Sequence, residues 1–171
     1  MTDILVTYGS KYGATREIAE RIGQHLRAQG LSVETCAAGE VHDLSGYNAV
    51  IVGSAVYAGQ WRAEVVQLLE KQSATLAHKP VWLFSTGPTG EGDATELMKG
   101  YRYPDALKNT IEQIQARDIA FFHGAIDMNK LNFAERLIIK GMKVAVGDFR
   151  NWHIIEEWTK QIAHSMQEMT R

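Results

Sequence analysis

The alternation of short β-rich runs with longer segments of helical period constrains the fold of this 171-residue chain most strongly. Such alternation predicts a parallel sheet whose crossover helices cover it. The predicted strands are Ile4–Tyr8, Ser32–Ala37, Ala49–Ser54, Pro80–Ser85 and Ile119–Gly124. The segments between them repeat apolar residues at helical spacing, as at Ile18, Ile22 and Leu26. We therefore expect one doubly wound α/β domain over residues 1–171.

The composition excludes several classes of function. The chain has 18 Lys and Arg against 20 Asp and Glu, a net charge of −2, so it has no overall basic field to attract nucleic acid. Its single cysteine cannot form an internal disulfide, and its six histidines lack the spacing of a metal site. The first ten residues show no signal-peptide pattern. We therefore expect a cytoplasmic protein that binds neither nucleic acid nor metal.

The run Tyr8–Thr15 (YGSKYGAT) follows the first strand, and a long amphipathic helix begins directly after it. This arrangement places backbone N–H groups and the hydroxyls of Ser10, Tyr12 and Thr15 at the positive end of a helix dipole. The glycine spacing differs from both G-x-G-x-x-G and the P-loop, so we expect a monophosphate held largely by neutral groups. A second interpretation stays open, in which Ser10 and Thr15 only cap the helix.

The segment Ser10–Thr15 (SKYGAT) resembles the phosphate loop of flavodoxins, [TS]-x-T-G-x-T, with Tyr12 where a threonine is usual. Residues 51–61 (IVGSAVYAGQW) and 82–90 (WLFSTGPTG) resemble the second and third flavin-binding loops of that family. The resemblance extends over essentially the whole chain. It is closest to the group that includes menaquinone-dependent protoporphyrinogen IX dehydrogenase, through NFAERLIIKGMK and GDFRNW at residues 132–143 and 147–152.

The resemblance implies a flavodoxin-like, five-stranded parallel sheet of order 2-1-3-4-5 with helices on both faces, and FMN as the cofactor. Tyr57 is the candidate for stacking on the flavin ring, with an ordinary surface aromatic as the alternative. No catalytic residue is assigned. The cofactor-binding residues that the resemblance implies lie in the three loops: Ser10, Lys11, Tyr12, Gly13, Ala14, Thr15, Ser54, Ala55, Val56, Tyr57, Ala58, Gly59, Ser85, Thr86, Gly87 and Pro88.

Three functions are compatible with these observations. The first is an FMN-dependent oxidoreductase or electron-transfer protein whose partner is a redox protein, a quinone or a small molecule. The near-neutral charge favours a dehydrogenase-like member over an acidic electron carrier, so the alternative is a menaquinone-linked protoporphyrinogen IX dehydrogenase. A second alternative is a flavin-free binding module, for which Tyr12 is the only indication.

The segment at about residues 127–150 exceeds what the fold needs as a connection, and it is predicted to contain a helix over Asn132–Ala145. Arg136, Lys140 and Lys143 fall on one face of that helix, and apolar residues fall on another. Such a helix can lie on an anionic membrane, which would place the protein at the inner face of the membrane, or it can cover a hydrophobic substrate. The interpretation that we favour is a peripheral helix whose apolar side packs on the core.

Overall fold

The computed structural model describes residues 3–171 of the chain. The eight strands within that range are β1 (Asp3–Gly9), β2 (Ser32–Ala37), β3 (Ala49–Tyr57), β4 (Gln60–Trp61), β5 (Val81–Thr86), β6 (Asp118–Phe122), β7 (Ala125–Ile126) and β8 (Gly147–Asp148). The α-helices are α1 (Ala14–Ala28), α2 (Ala63–Leu76), α3 (Ala94–Leu97), α4 (Lys108–Ile114), α5 (Phe133–Met142) and α6 (Trp152–Met169).

The five long strands form a parallel sheet in the order β2-β1-β3-β5-β6. Counted among themselves, these strands have the order 2-1-3-4-5, so the flavodoxin-like fold is confirmed. The two-residue strand β4 pairs only with β3, and β7 pairs with β8 as a separate antiparallel ribbon. Every loop that follows a long strand therefore opens at the same edge of the sheet.

The third strand is longer than the predicted Ala49–Ser54, because β3 continues to Tyr57 and turns back into β4. Ala58 and Gly59 form the two-residue turn, with φ angles of 49° and 74°. Positive φ at both central residues is typical of the type I′ turn that suits the twist of a hairpin. The second predicted loop is therefore an antiparallel hairpin at the end of the central strand.

Two apolar clusters cover the two faces of the sheet. The first joins α1 and α6 to one face, where Ile22, Phe84 and Trp158 lie together. The second joins α2 and α4 to the other face. On β3, a Cβ atom at Gly53 would lie 2.0 Å from Cζ of Phe84, so the glycine makes room for this core ring. The carboxyl ends of the strands are thus carried by a sheet that is packed on both sides.

The helix predicted over Asn132–Ala145 is present as α5, but its surroundings differ from the favoured expectation. None of its residues is buried, and Phe133, Leu137, Ile138 and Met142 are exposed. The expectation that the apolar side packs on the core is therefore wrong. The inner side of α5 is instead held by a polar contact, because the carboxylate of Glu135 pairs with the ammonium of Lys11.

Candidate functional site

The three predicted loops meet at one edge of the sheet. The hydroxyl oxygens of Thr15, in the first loop, and Thr86, at the end of β5, lie 2.6 Å apart and share a buried hydrogen bond. The rings of Tyr12 and Tyr57 join the first loop to the β3–β4 hairpin, with centroids 6.3 Å apart and an interplanar angle of 79°. Segments far apart in sequence thus form a single cluster.

The first loop leaves the beginning of α1 open. Gly13 has a φ of 96°, a left-handed conformation that glycine adopts without strain. Within residues 3–171, no side chain caps α1; the hydroxyl of Ser10 instead accepts a hydrogen bond of 3.0 Å from the N–H of Gly13 itself. The interpretation in which Ser10 and Thr15 cap the helix therefore does not describe this loop. The first-turn N–H groups of α1 remain at the positive end of its dipole.

Three cationic side chains surround this loop. Lys11, Arg16 and Lys130 line a cavity of about 540 Å³ with Tyr8, Ser10, Tyr12 and Gly13. Lys130 donates a hydrogen bond of 3.3 Å to the carbonyl oxygen of Tyr12. The electrostatic setting therefore favours an anion at this position. The sequence analysis did not predict Arg16 or Lys130 as site residues. Arg16 lies one residue beyond the predicted loop, and Lys130 comes from the distant segment before α5.

Lys11 and Glu135 form an ion pair across 2.7 Å that joins the first loop to α5. The hydrogen bond from Lys11 lowers the pKa of Glu135 to about 2, and the same contact raises the pKa of Lys11. Burial and a hydrogen bond to Glu135 raise the pKa of the Tyr12 hydroxyl. The Tyr12 side chain therefore lies toward α5 and Tyr57. The carbonyl oxygen of Tyr12, in the first loop, by contrast accepts the hydrogen bond from Lys130.

The β3–β4 hairpin is held in place by Ser54, which is fully buried. Its hydroxyl accepts a hydrogen bond of 2.9 Å from the N–H of Arg62 and donates one of 2.9 Å to the carbonyl oxygen of Ala55. Arg62 is the residue that precedes α2. The Ser54 hydroxyl thus links the hairpin to the beginning of α2 and fixes the position of the loop.

Tyr57 is the exposed aromatic of the hairpin, and Tyr101 supports the turn beside it. The hydroxyl of Tyr101 donates a hydrogen bond of 2.8 Å to the carbonyl oxygen of Gly59, and its ring packs edge-on against Phe121. Burial raises the pKa of Tyr101 to about 12. The structure places Tyr101 as a support for the Ala58–Gly59 turn.

The third loop begins at the end of β5 and touches the hairpin. A Cβ atom at Gly87 would lie 3.2 Å from Cβ of Val56, so glycine permits the close approach of the two segments. The N–H of Gly124 donates a hydrogen bond of 2.9 Å to the carbonyl oxygen of Pro88. Ser85 is buried, and its hydroxyl finds no hydrogen-bond partner among residues 3–171. A buried polar atom without a partner is a candidate to bind a ligand.

The 16 candidate residues differ in their exposure, although all belong to this cluster of loops. The buried ones are Thr15, Ser54, Ala55, Ser85 and Thr86. The partly buried ones are Ser10, Tyr12, Gly13, Ala14, Val56 and Pro88. The exposed ones are Lys11, Tyr57, Ala58, Gly59 and Gly87.

Arg150 fastens the segment before α6 to the beginning of α1. Its guanidinium pairs with the carboxylates of Asp148, at 2.7 Å, and Glu17, and donates a hydrogen bond of 3.3 Å to the carbonyl oxygen of Ala14. These contacts raise the pKa of Arg150. The motif GDFRNW identifies this arginine in the sequence, but nothing in the sequence indicates Glu17 as its partner.

Comparisons with known proteins agree with this architecture. A family model described as the flavodoxin domain matches residues 5–150. A point mutant of flavodoxin from Pseudomonas aeruginosa superposes with a TM-score of 0.60 at 14% identity, covering 97% of this chain and 99% of its own. Flavodoxin from Megasphaera elsdenii superposes with a TM-score of 0.53 at 23% identity, covering 71% of this chain and 85% of its own.

A longer protein, rubredoxin oxygen:oxidoreductase from Desulfovibrio gigas, also contains this fold. It superposes with a TM-score of 0.61 at 15% identity over 97% of this chain, which spans only 36% of the longer one. At these identities the structural likeness shows the fold alone. The comparison with curated proteins finds no matching sequence. Between residues 3 and 171, no helix combines the length and the apolar character needed to cross a bilayer.

Proposed function

Because the chain belongs to the flavodoxin family, we propose that its three loops bind FMN and that it acts as an electron-transfer flavoprotein. The observation that carries the proposal is the convergence of these loops, in which Thr15 meets Thr86 and Tyr12 meets Tyr57. Ligands of doubly wound α/β proteins bind at this edge of the sheet.

The residues of the site suit the parts of FMN. The uncapped first turn of α1 and the hydroxyl of Ser10 would hold the phosphate, with Lys11 and Arg16 near it. Tyr57 offers an exposed aromatic face for the flavin ring, and Ser85 offers a hydroxyl that lacks a partner. When bound, FMN supplies electron or hydride transfer, and the chain binds and orients it.

The first test is the colour of the purified protein. We expect a yellow preparation with flavin absorbance that releases FMN when the protein is denatured. A colourless protein that also fails to bind added FMN would overturn the proposal in favour of a flavin-free binding module. Reconstitution of the apoprotein with FMN, followed by tryptophan and flavin fluorescence, gives the dissociation constant for the variants below.

The second test separates phosphate binding from ring binding. Thr15→Val should weaken FMN by about 10- to 100-fold, the range for a lost hydrogen bond to a charged group, and should weaken riboflavin much less. Thr86→Val is the matched control, because it breaks the same hydrogen bond but keeps the Thr15 hydroxyl, so it should not weaken FMN more than riboflavin. An equal loss of FMN and riboflavin in the Thr15 variant would show that this residue does not contact the phosphate.

A second candidate function is a menaquinone-linked protoporphyrinogen IX dehydrogenase. Two observations favour it over an acidic electron carrier: the net charge of only −2, and the exposed apolar residues of α5, a helix that touches the first loop. The flavin-loaded protein should then oxidise protoporphyrinogen IX and pass the electrons to a quinone. If it reduces a redox protein but never oxidises protoporphyrinogen, it is an electron carrier without this activity.

A further inference from the structure

The helix α5 turns its apolar side toward solvent. The exposed fractions of Phe133, Leu137, Ile138 and Met142 are 77%, 55%, 59% and 65%. Val146, just beyond the helix, is 47% exposed. Five of the nine large exposed apolar residues in the described chain thus lie in this one segment. Apolar residues collected on one patch of the surface mark a contact with a partner or a membrane, whereas scattered ones need no explanation.

The outward direction of the apolar side follows from how α5 is held. Only Glu135 and Ile139 of the helix are partly buried, so these two residues mark its inner side. Glu135 pairs with Lys11, and Arg136 donates a hydrogen bond of 2.9 Å to the carbonyl oxygen of Met128. Residues about half a turn away, such as Leu137, therefore face outward. The structure fixes the helix by polar contacts and leaves its apolar side free.

The charges along the segment are mostly positive. Within residues 130–143 there are four basic residues and one acidic residue, Glu135, although the whole chain has a net charge of −2. Lys140 and Lys143 are exposed, and neither forms an ion pair with any residue from 3 to 171. An exposed apolar side with lysines beside it is typical of a helix that lies in the surface of an anionic bilayer.

We propose that α5 docks on an anionic lipid bilayer, with Phe133, Leu137 and Ile138 entering the interfacial region and Lys140 and Lys143 meeting the lipid phosphates. A second copy of the chain is a poorer occupant, because a two-fold contact would bring the same lysines toward each other. Docking itself does not depend on FMN. Only its consequence, that the flavin site lies beside the membrane through the contact of Glu135 with Lys11, rests on the proposed function.

Co-sedimentation with vesicles tests this docking. We expect the full chain to bind vesicles of phosphatidylglycerol mixed with phosphatidylcholine, and to bind pure phosphatidylcholine vesicles much less. The double variant Lys140→Gln/Lys143→Gln should lower the partition coefficient by about 30-fold, since each lysine near an anionic surface contributes about 1 kcal/mol. The variant Leu137→Gln should lower it by at least about tenfold, because a leucine loses its apolar environment. Glutamine has a helix propensity close to those of leucine and lysine, so α5 should persist in the variants at Leu137 and Lys140; Lys143 lies just beyond the end of α5.

Matched controls use exposed residues on other helices. Lys71→Gln/Lys108→Gln removes two lysines from α2 and α4, and Met169→Gln removes an exposed apolar side chain from α6. Neither control should change the binding. The content of bound FMN in each variant reports on the flavin site separately, so a failure of docking is distinguishable from a failure of cofactor binding.

Three results would overturn the docking proposal. One is that the full chain binds neither kind of vesicle. Another is equal binding to anionic and neutral vesicles, unchanged in the lysine double variant. A third is a concentration-dependent dimer in analytical ultracentrifugation that Leu137→Gln abolishes, which would assign the surface to a second copy of the chain.

Discussion

The hydrogen bond between Thr15 and Thr86 allows a quantitative test of the candidate site. Both side chains are buried, and their hydroxyl oxygens lie 2.6 Å apart across 71 residues of sequence. Replacing one threonine with valine keeps the shape of the side chain but removes one hydroxyl. In the flavin-free protein, the remaining hydroxyl is then buried without its hydrogen-bond partner.

The expected free energies differ between single and double substitutions. Leaving one buried hydroxyl unpaired costs about 1–3 kcal/mol, so Thr15→Val and Thr86→Val should each lower the free energy of unfolding by that amount. Replacing both partners with apolar groups of the same shape is nearly neutral. The double variant should therefore be more stable than either single variant, and the coupling energy should equal the sum of the two single losses, about 2–6 kcal/mol.

Urea denaturation of the four apoproteins, followed by tryptophan fluorescence and circular dichroism, measures this cycle. In a chain of this length each 1 kcal/mol should also shift the midpoint of thermal unfolding by about 2–4 °C. The reasoning is refuted if the losses in the single variants add up in the double variant, because additive losses mean that the two hydroxyls do not interact. The flavin-free protein is used so that cofactor binding does not contribute to stability.

Two further predictions concern packing and charge. Gly53→Ala should lower the free energy of unfolding by about 1–3 kcal/mol in urea, because the new Cβ clashes with Phe84, whereas Gly39→Ala, whose Cβ meets open space, should not. The variant Phe84→Leu should tolerate the alanine, and equal losses in both backgrounds would contradict the clash. The ion pair of Glu135 should stabilise the fold above the ordinary carboxyl pKa and lose this effect as the pH falls toward 2, because its pKa in the folded chain is lowered to about 2. Carbon-13 NMR should show that low midpoint and its return toward the ordinary range in Lys11→Met; a midpoint unchanged by the substitution would contradict the pairing.

The parallel sheet could be predicted from the sequence because its pattern is local. Buried parallel strands are short apolar runs, and the stripe of Ile18, Ile22 and Leu26 identifies the face of α1 that packs on them. Strand order came instead from the resemblance of three loops to a known family. Because each loop follows a parallel strand, the sequence was sufficient to predict that Thr15 and Thr86 lie at the same edge of the sheet.

The β3–β4 hairpin could not be predicted in the same way. Its turn requires a positive φ at Ala58, which alanine rarely adopts, so the local sequence lacks the usual Asn-Gly or Asp-Gly signal. The turn is stabilised by a distant residue, because Tyr101 donates its hydrogen bond to the carbonyl oxygen of Gly59. A conformation that depends on a partner 42 residues away is not encoded in a short window of sequence.

The outward orientation of the apolar side of α5 also depends on a residue far away in the sequence, and this contact links the two proposals. Periodicity identifies an apolar side of a helix but does not say which surface that side meets. In α5 the answer comes from the pair of Glu135 and Lys11, which are 124 residues apart and hold the polar side against the first loop. The same contact therefore orients the apolar side of α5 outward and positions the loop that we propose to bind phosphate. Because Lys11 serves both, Lys11→Met is the single substitution expected to weaken vesicle binding and FMN binding together.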